Sequence, residues 1–127
     1  MRLEHIALYV DDLEAARRFF MDYFDAQSND GYSNPRTGLR TYFLTFEGGS
    51  RLEIMNKPVL PDTGNKAFRS GYAHIAFKLE SRMAVDNLTA RFAADGYEVL
   101  SGPRVTGDGY YESCIVGIEG NIVEITA

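Results

Sequence analysis

Hydrophobic and polar positions along this chain follow one pattern, written twice. The first pass begins with "RLEHIALYV", a short apolar run of strand length. In the next stretch, "DDLEAARRFFMDYFDA", Leu13, Ala16, Phe19, Phe20, Tyr23 and Phe24 recur at helical spacing. That spacing predicts a helix with one apolar face, so the aromatic run belongs to a core helix and not to a cofactor box. Asp11 followed by Glu14 is a carboxylate form of the capping box and predicts where the helix starts. After a loop rich in Asn, Asp, Gly and Ser come "RTYFLTF" and "RLEIM", two strands with Gly48 and Gly49 as a hairpin turn between them.

The second pass opens with "GYAHIAFKLE". Ser81 stands where it can cap a helix running to about Ala94, with Val85, Leu88 and Phe92 on its buried face. Gly96 follows, where a helix end favours a left-handed residue. "YEVLSG", "YYESCIVGI" and "NIVEITA" complete the copy as strands. Between the copies, "NKPVLPDTGNKAFRSG" is rich in turn formers. The reading is therefore α+β: a single domain, 1–127, of two strand–helix–three-strand modules, about 1–57 and 72–127, joined by a linker at about 58–71. A unit of ~60 residues is marginal alone, so the two halves are expected to bury their faces together.

Composition narrows the function classes. At 45% hydrophobic and 24% charged, the chain is ordinary for a soluble globular protein. A net charge of -5, with no Lys/Arg cluster, argues against nucleic-acid partners. No apolar run approaches membrane-spanning length, and the N-terminal stretch has no signal-peptide architecture. Cys114 is the single cysteine, which leaves no intramolecular disulfide and no CxxC motif. A cytoplasmic protein with a small-molecule substrate, no nucleic acid and no membrane is the expectation.

The repeat also carries candidate chemistry. The two histidines, His5 and His74, are each the third residue of a near-copied octapeptide, "LEHIALYV" and "YAHIAFKL". Near the end of each copy, "RLEIM" and "IVEIT" put Glu53 and Glu124 in register. Strand side chains alternate between faces. Ile6, Leu8 and Val10, and in the second copy Ile75, Phe77 and Leu79, are expected beneath the helices. The opposite face carries Leu3, His5, Ala7 and Tyr9, matched by Tyr72, His74, Ala76 and Lys78. Glu53 alternates with Leu52 and Ile54, and Glu124 with Val123 and Ile125. All four candidate ligands thus fall on the faces away from the helices, with a small alanine beside each histidine. A lone histidine is more often structural than a ligand, and a strand glutamate is more often solvated. Independent surface residues, however, have no reason to fall in register twice.

The repeated module, the "HIAL"/"HIAF" pair, the two late glutamates and the ending "GIEGNIVEI" resemble the vicinal oxygen chelate superfamily, of which glyoxalase I, bleomycin-resistance proteins and extradiol dioxygenases are members. The resemblance covers essentially the whole chain. It implies two tandem βαβββ modules forming a curved mixed sheet around a metal-binding cavity, with His5, Glu53, His74 and Glu124 at the ligand positions. It also implies a homodimer in which the partner can supply half of each site.

Two neutral imidazoles and two carboxylates suit a divalent metal of the set Ni, Co, Zn, Mn or Fe. A substrate with oxygens on adjacent carbons, such as a 2-oxoaldehyde thiol adduct, would chelate such an ion. The metal would stabilise an enediolate while Glu124 acts as the base and Glu53 as the complementary acid/base. Glutathione-dependent members carry an arginine four residues past the first histidine; here that residue is Tyr9. They also place an asparagine soon after the first glutamate, which Asn56 matches imperfectly. Arg36, Arg40, Lys66 and Arg69 are candidate anion contacts, though solvated loop charges are the simpler reading. Tyr110 and Tyr111 are either pocket lining or sheet packing. Cys114 reads as a small buried hydrophobe, since no third histidine exists to activate it. The competing classes are a metal-free drug-binding protein of the bleomycin-resistance kind, an extradiol dioxygenase and an antibiotic-modifying thiol transferase. The dioxygenase and transferase types typically use two His and one Glu, leaving the Glu53 position without a ligand, and the binding proteins lack the set.

Overall fold

The computed structural model describes residues 5–58, 74–106 and 109–127. The chain divides into two compact units, Met1–Thr63 and Gly64–Ala127. In the first unit, β1 (His5–Tyr9) leads into α1 (Leu13–Phe24), then short strands β2 (Gln27–Ser28) and β3 (Tyr32–Ser33), then β4 (Arg40–Thr45) and β5 (Arg51–Asn56). β1 runs parallel to β5, β5 antiparallel to β4, and β4 carries both short strands along its other edge. In the second unit, β6 (Ile75–Lys78) leads into α2 (Arg82–Ala94), then β7 (Glu98–Val105), β8 (Tyr111–Val116) and β9 (Ile122–Thr126). Its sheet order, β6-β9-β8-β7, reproduces the first unit's β1-β5-β4-β2. The fold is α+β with two βαβββ modules, as expected, and each module has its own mixed sheet.

One helix covers one face of each sheet. Leu13, Ala16, Phe19 and Phe20 of α1 are buried together with Val10, Leu44, Leu52 and Ile54. In the second unit Val85 and Phe92 of α2 are buried with Ile115, Val123 and Ile125. Each such aliphatic or aromatic side chain contributes roughly 1.5–3 kcal/mol when removed from water, and this burial holds helix to sheet.

Two details of the helices differ from expectation. The cap of α1 is Asp12, whose Oδ1 accepts from Ala15 N at 2.8 Å. This shift by one residue releases Glu14 from capping; its carboxylate instead accepts from Arg40 Nη2 at 3.0 Å and Tyr42 Oη at 2.8 Å, tying α1 to β4. In α2, capped by Ser81 as predicted, the buried face takes Thr89 in place of the half-buried Leu88. Thr89 can be buried because its hydroxyl donates to Val85 O and is bonded to Ser113 Oγ, both at 2.7 Å.

Candidate metal centre

The strand pairing builds the same constellation in each module. In the first, Ala7 stands across from Glu53 in the parallel β1–β5 ladder, and His5 lies one pleat back on the same face. In the second, Ala76 stands across from Glu124 in β6–β9, and His74 lies one pleat back. Matching bonds lock both registers: Val10 N donates to Met55 O at 2.9 Å, and Leu79 N to Thr126 O at 2.7 Å. Alanine in the centre leaves room for the histidine and glutamate to lean together. His5 Nε2 comes within 3.7 Å of Glu53 Oε2, and His74 Nε2 within 3.2 Å of Glu124 Oε2. Exposures match as well, 36% and 18% for the first pair against 40% and 20% for the second, so both pairs are open to a ligand.

These distances suit a shared ion. Two ligand atoms each about 2.1 Å from one divalent metal stand about 3.0 Å apart at 90° and about 3.6 Å apart at 120°. The second pair falls within that range, and the first needs only a small side-chain rotation. The structure brings His5 to Glu53 and His74 to Glu124. Among the described residues, no group of three or more His, Cys, Asp or Glu side chains could hold a metal ion, so each module offers a pair of donors.

The surroundings of the two pairs differ. β5 lies between β1 and β4, and the rings of His5 and Phe43 meet across it edge-to-face, with centroids 5.2 Å apart. Arg51 places its guanidinium 4.4 Å from the Phe43 centroid. In the second module, Cys114 takes the place of Phe43, directly across from Glu124. The thiol is half-buried on the ligand face, not part of the core as expected. Its pKa is raised, first by burial and then by Glu124 and Glu112, against a smaller pull from Arg104, so it stays a thiol and a poor nucleophile at neutral pH. Thr126, two residues past Glu124, has an enclosed hydroxyl with no hydrogen-bond partner among the described residues.

Other sequence candidates are placed plainly. Asn56 is a backbone clamp: its Nδ2 donates to Val10 O at 2.9 Å and Asp11 O at 2.8 Å, closing the β1–α1 junction. Arg40 is engaged by Glu14 of the helix, and Tyr42 and Leu44, which alternate with Phe43, lie on that same side of β4. Tyr111 donates to Asp86 and lies under Arg82, which accounts for it as a contact with α2; Tyr110 is exposed. Arg36 lies in the turn after Asn34, whose Oδ1 accepts from its backbone N–H. Leu3, the linker with Lys66 and Arg69, and Tyr72 lie outside the described residues. The sequence places Arg51 on the face of Glu53 by alternation but does not single out Phe43 or Lys57, whose ammonium sits 5.6 Å from the Tyr9 ring centroid. The alternation that places Glu53 and Arg51 on one face also places Lys57 there, and that signal was sufficient to find it.

Paired βαβββ modules with a histidine and a glutamate converging on each sheet define the class of vicinal oxygen chelate folds. The chain belongs to the Glyoxalase/Bleomycin resistance protein/Dioxygenase superfamily, whose family model matches residues 2–125. It is similar to "Uncharacterized protein YqjT" of Bacillus subtilis (strain 168), 32% identical over 117 residues, 86% of this chain and 85% of that protein. Its fold is similar to a glyoxylase/bleomycin resistance protein/dioxygenase domain from Frankia sp. EAN1pec, with TM-score 0.81 and 18% identity over 99% of this chain and 96% of that one. It is also similar to the fosfomycin resistance protein FosX of Listeria monocytogenes, solved with Mn(II) and sulfate, with TM-score 0.73 and 23% identity over 99% and 91%. Among the described residues, no helix is long and apolar enough to cross a membrane.

Proposed function

We propose that residues 1–127 act as one glyoxalase-like domain, a metal-dependent lyase/isomerase for a small molecule with oxygens on adjacent carbons. The observation that carries this reading is the His–Glu pair repeated in one register in both modules. His5, Glu53, His74 and Glu124 would hold one divalent ion of the set Ni, Co, Zn, Mn or Fe. That ion would supply the positive charge that offsets negative charge developing on the substrate's paired oxygens.

The proton chemistry belongs to the chain. The Glu124 carboxylate takes a proton from the carbon beside the carbonyl, leaving an enediolate, and the proton returns to the neighbouring carbon, with Glu53 as the complementary acid/base. Substrates of this kind include thiol adducts of 2-oxoaldehydes. With Tyr9 where glutathione-dependent members carry arginine, glutathione is not expected to be the best thiol, although Lys57 supplies a cation close by.

Elemental analysis of purified protein, combined with a screen of 2-oxoaldehyde adducts of several thiols, tests the reading. About one metal per chain and isomerisation of at least one adduct are expected. A protein that refuses metal on reconstitution yet binds small aromatic ligands would instead be a binding module.

A further inference from the structure

We propose that Phe43 is a positioning residue of the metal centre, fixing the plane of the His5 imidazole before an ion arrives. The proposal rests on the metal-centre reading above and adds what holds one of its donors.

A strand backbone places a histidine's Cβ but sets its ring plane loosely, because rotation about the bond to the ring is broad. A metal needs that plane fixed, which is why neighbours that orient a ligating imidazole govern affinity. In the first module such a neighbour is present. Phe43 on β4 is the register partner of Glu53, and His5 stands on β1 with β5 between them. Neighbouring strands lie about 4.8 Å apart, so the backbones carrying the two rings are roughly 10 Å apart. Their ring centroids are nevertheless 5.2 Å apart, with the planes at 86°. Both side chains therefore lean over β5 until they meet edge to face, a geometry that aromatic pairs prefer. Phe43 is braced in turn by the Arg51 guanidinium, which lies over its ring 4.4 Å from the centroid. The imidazole is thus bounded by a ring on one side and, at Nε2, by the Glu53 carboxylate 3.7 Å away.

Core filling does not account for Phe43, because it is half-buried on the ligand face. Nor is it part of the repeated frame. In the second module Cys114 takes its place and Ile122 takes that of Arg51. A thiol is too short to reach across β9, and neither residue has a ring to offer His74. The first module has therefore gained a restraint on its histidine that the fold itself does not require.

The test uses untagged protein, whose two histidines give ring-proton signals that His5→Ala assigns. Mn(II) affinity is measured by titration calorimetry on the parent, Phe43→Leu, Phe43→Met and Phe43→Tyr. The histidine signals are recorded by NMR on the same proteins without metal. Phe43→Leu and Phe43→Met keep apolar bulk without a ring and are expected to weaken Mn(II) binding about twofold to tenfold. In both, the His5 signals should lose their ring-current displacement while those of His74 stay in place. Phe43→Tyr keeps the ring and is expected to match the parent in both measurements. Unchanged affinity in the ringless variants overturns the proposal, as does weakened affinity with the His5 signals unmoved. A loss in Phe43→Tyr as large as in Phe43→Leu overturns it too. A parent that holds no Mn(II) removes the metal-centre reading and this proposal with it, whereas equal binding by parent and Phe43→Leu removes this proposal alone.

Discussion

At the scale of residues, position within a strand decides what a side chain can do. His5 and His74 are exposed because their strands turn Ile6, Leu8, Ile75 and Phe77 toward the other face. In the proposed shell each imidazole supplies one of four donors, and water cannot replace it at equal strength. His5→Ala and His74→Ala are each expected to lose metal on dialysis while keeping the parent's circular dichroism; retained stoichiometry in both would remove these residues from the centre. Tyr111 illustrates the opposite case, a titratable group used for packing. Its hydrogen bond to Asp86, then desolvation, then the Asp86 charge push its pKa above 10.0, while Arg82 pulls it down. A raised folded-state pKa favours the protonated phenol, so the contribution to stability is present below pH 10.0 and is lost as pH rises through the folded value. The parent should therefore melt above Asp86→Ala near neutrality, with the gap narrowing in alkali; a gap that widens with pH contradicts this.

At the scale of elements, a buried hydroxyl pair joins α2 to β8. Thr89 and Ser113 are 5% and 0% exposed, and each is the other's partner across the helix–sheet contact. Thr89→Val strands the Ser113 hydroxyl in the core and is expected to cost about 1–3 kcal/mol, the penalty for an unpaired buried polar group. The double variant with Ser113→Ala should cost less than the sum of the single changes, because neither hydroxyl is then left alone. Denaturant melts of the four proteins measure this, and strict additivity would show that the two groups are not coupled. The pair also marks the limit of what was legible in the sequence. Period-2 alternation revealed the strands, the half-burial of their ligand faces and the twin His–Glu register, because burial on one face imposes that pattern directly. Gly48 and Gly49 were legible as a turn because both hold positive φ, 83° and 84°. The corresponding turn of the second module puts Glu119 at φ 51°, which no residue preference announces. Thr89 in place of Leu88 and Asn56 as a clamp were hidden for a related reason. Each depends on a partner from another element, which local spacing does not encode.

At the scale of the whole molecule, the repeat poses the question of how two half-sites become one centre. Each module supplies only one imidazole and one carboxylate, and a stable shell for a divalent ion needs both pairs. β1 and β6 are edge strands of their own sheets, and such edges are commonly covered by a partner in symmetric assemblies. We therefore expect a homodimer in which His5 and Glu53 of one copy meet His74 and Glu124 of the other. Sedimentation at micromolar concentration should give twice the monomer mass, 14.2 kDa per chain; a monomer that still holds one metal would refute sharing. A complementation experiment is more discriminating. Homodimers of His5→Ala lack one imidazole in every shared site, and so do homodimers of His74→Ala. In a mixed dimer both losses fall in one site, and the other regains its full set. Subunit exchange at equal concentration would make about half the dimers mixed, with one intact site of two, so metal content should recover to roughly a quarter of the parent's. Sites formed within a single chain would show no recovery at any mixing ratio, because every chain in the mixture lacks one of its own histidines.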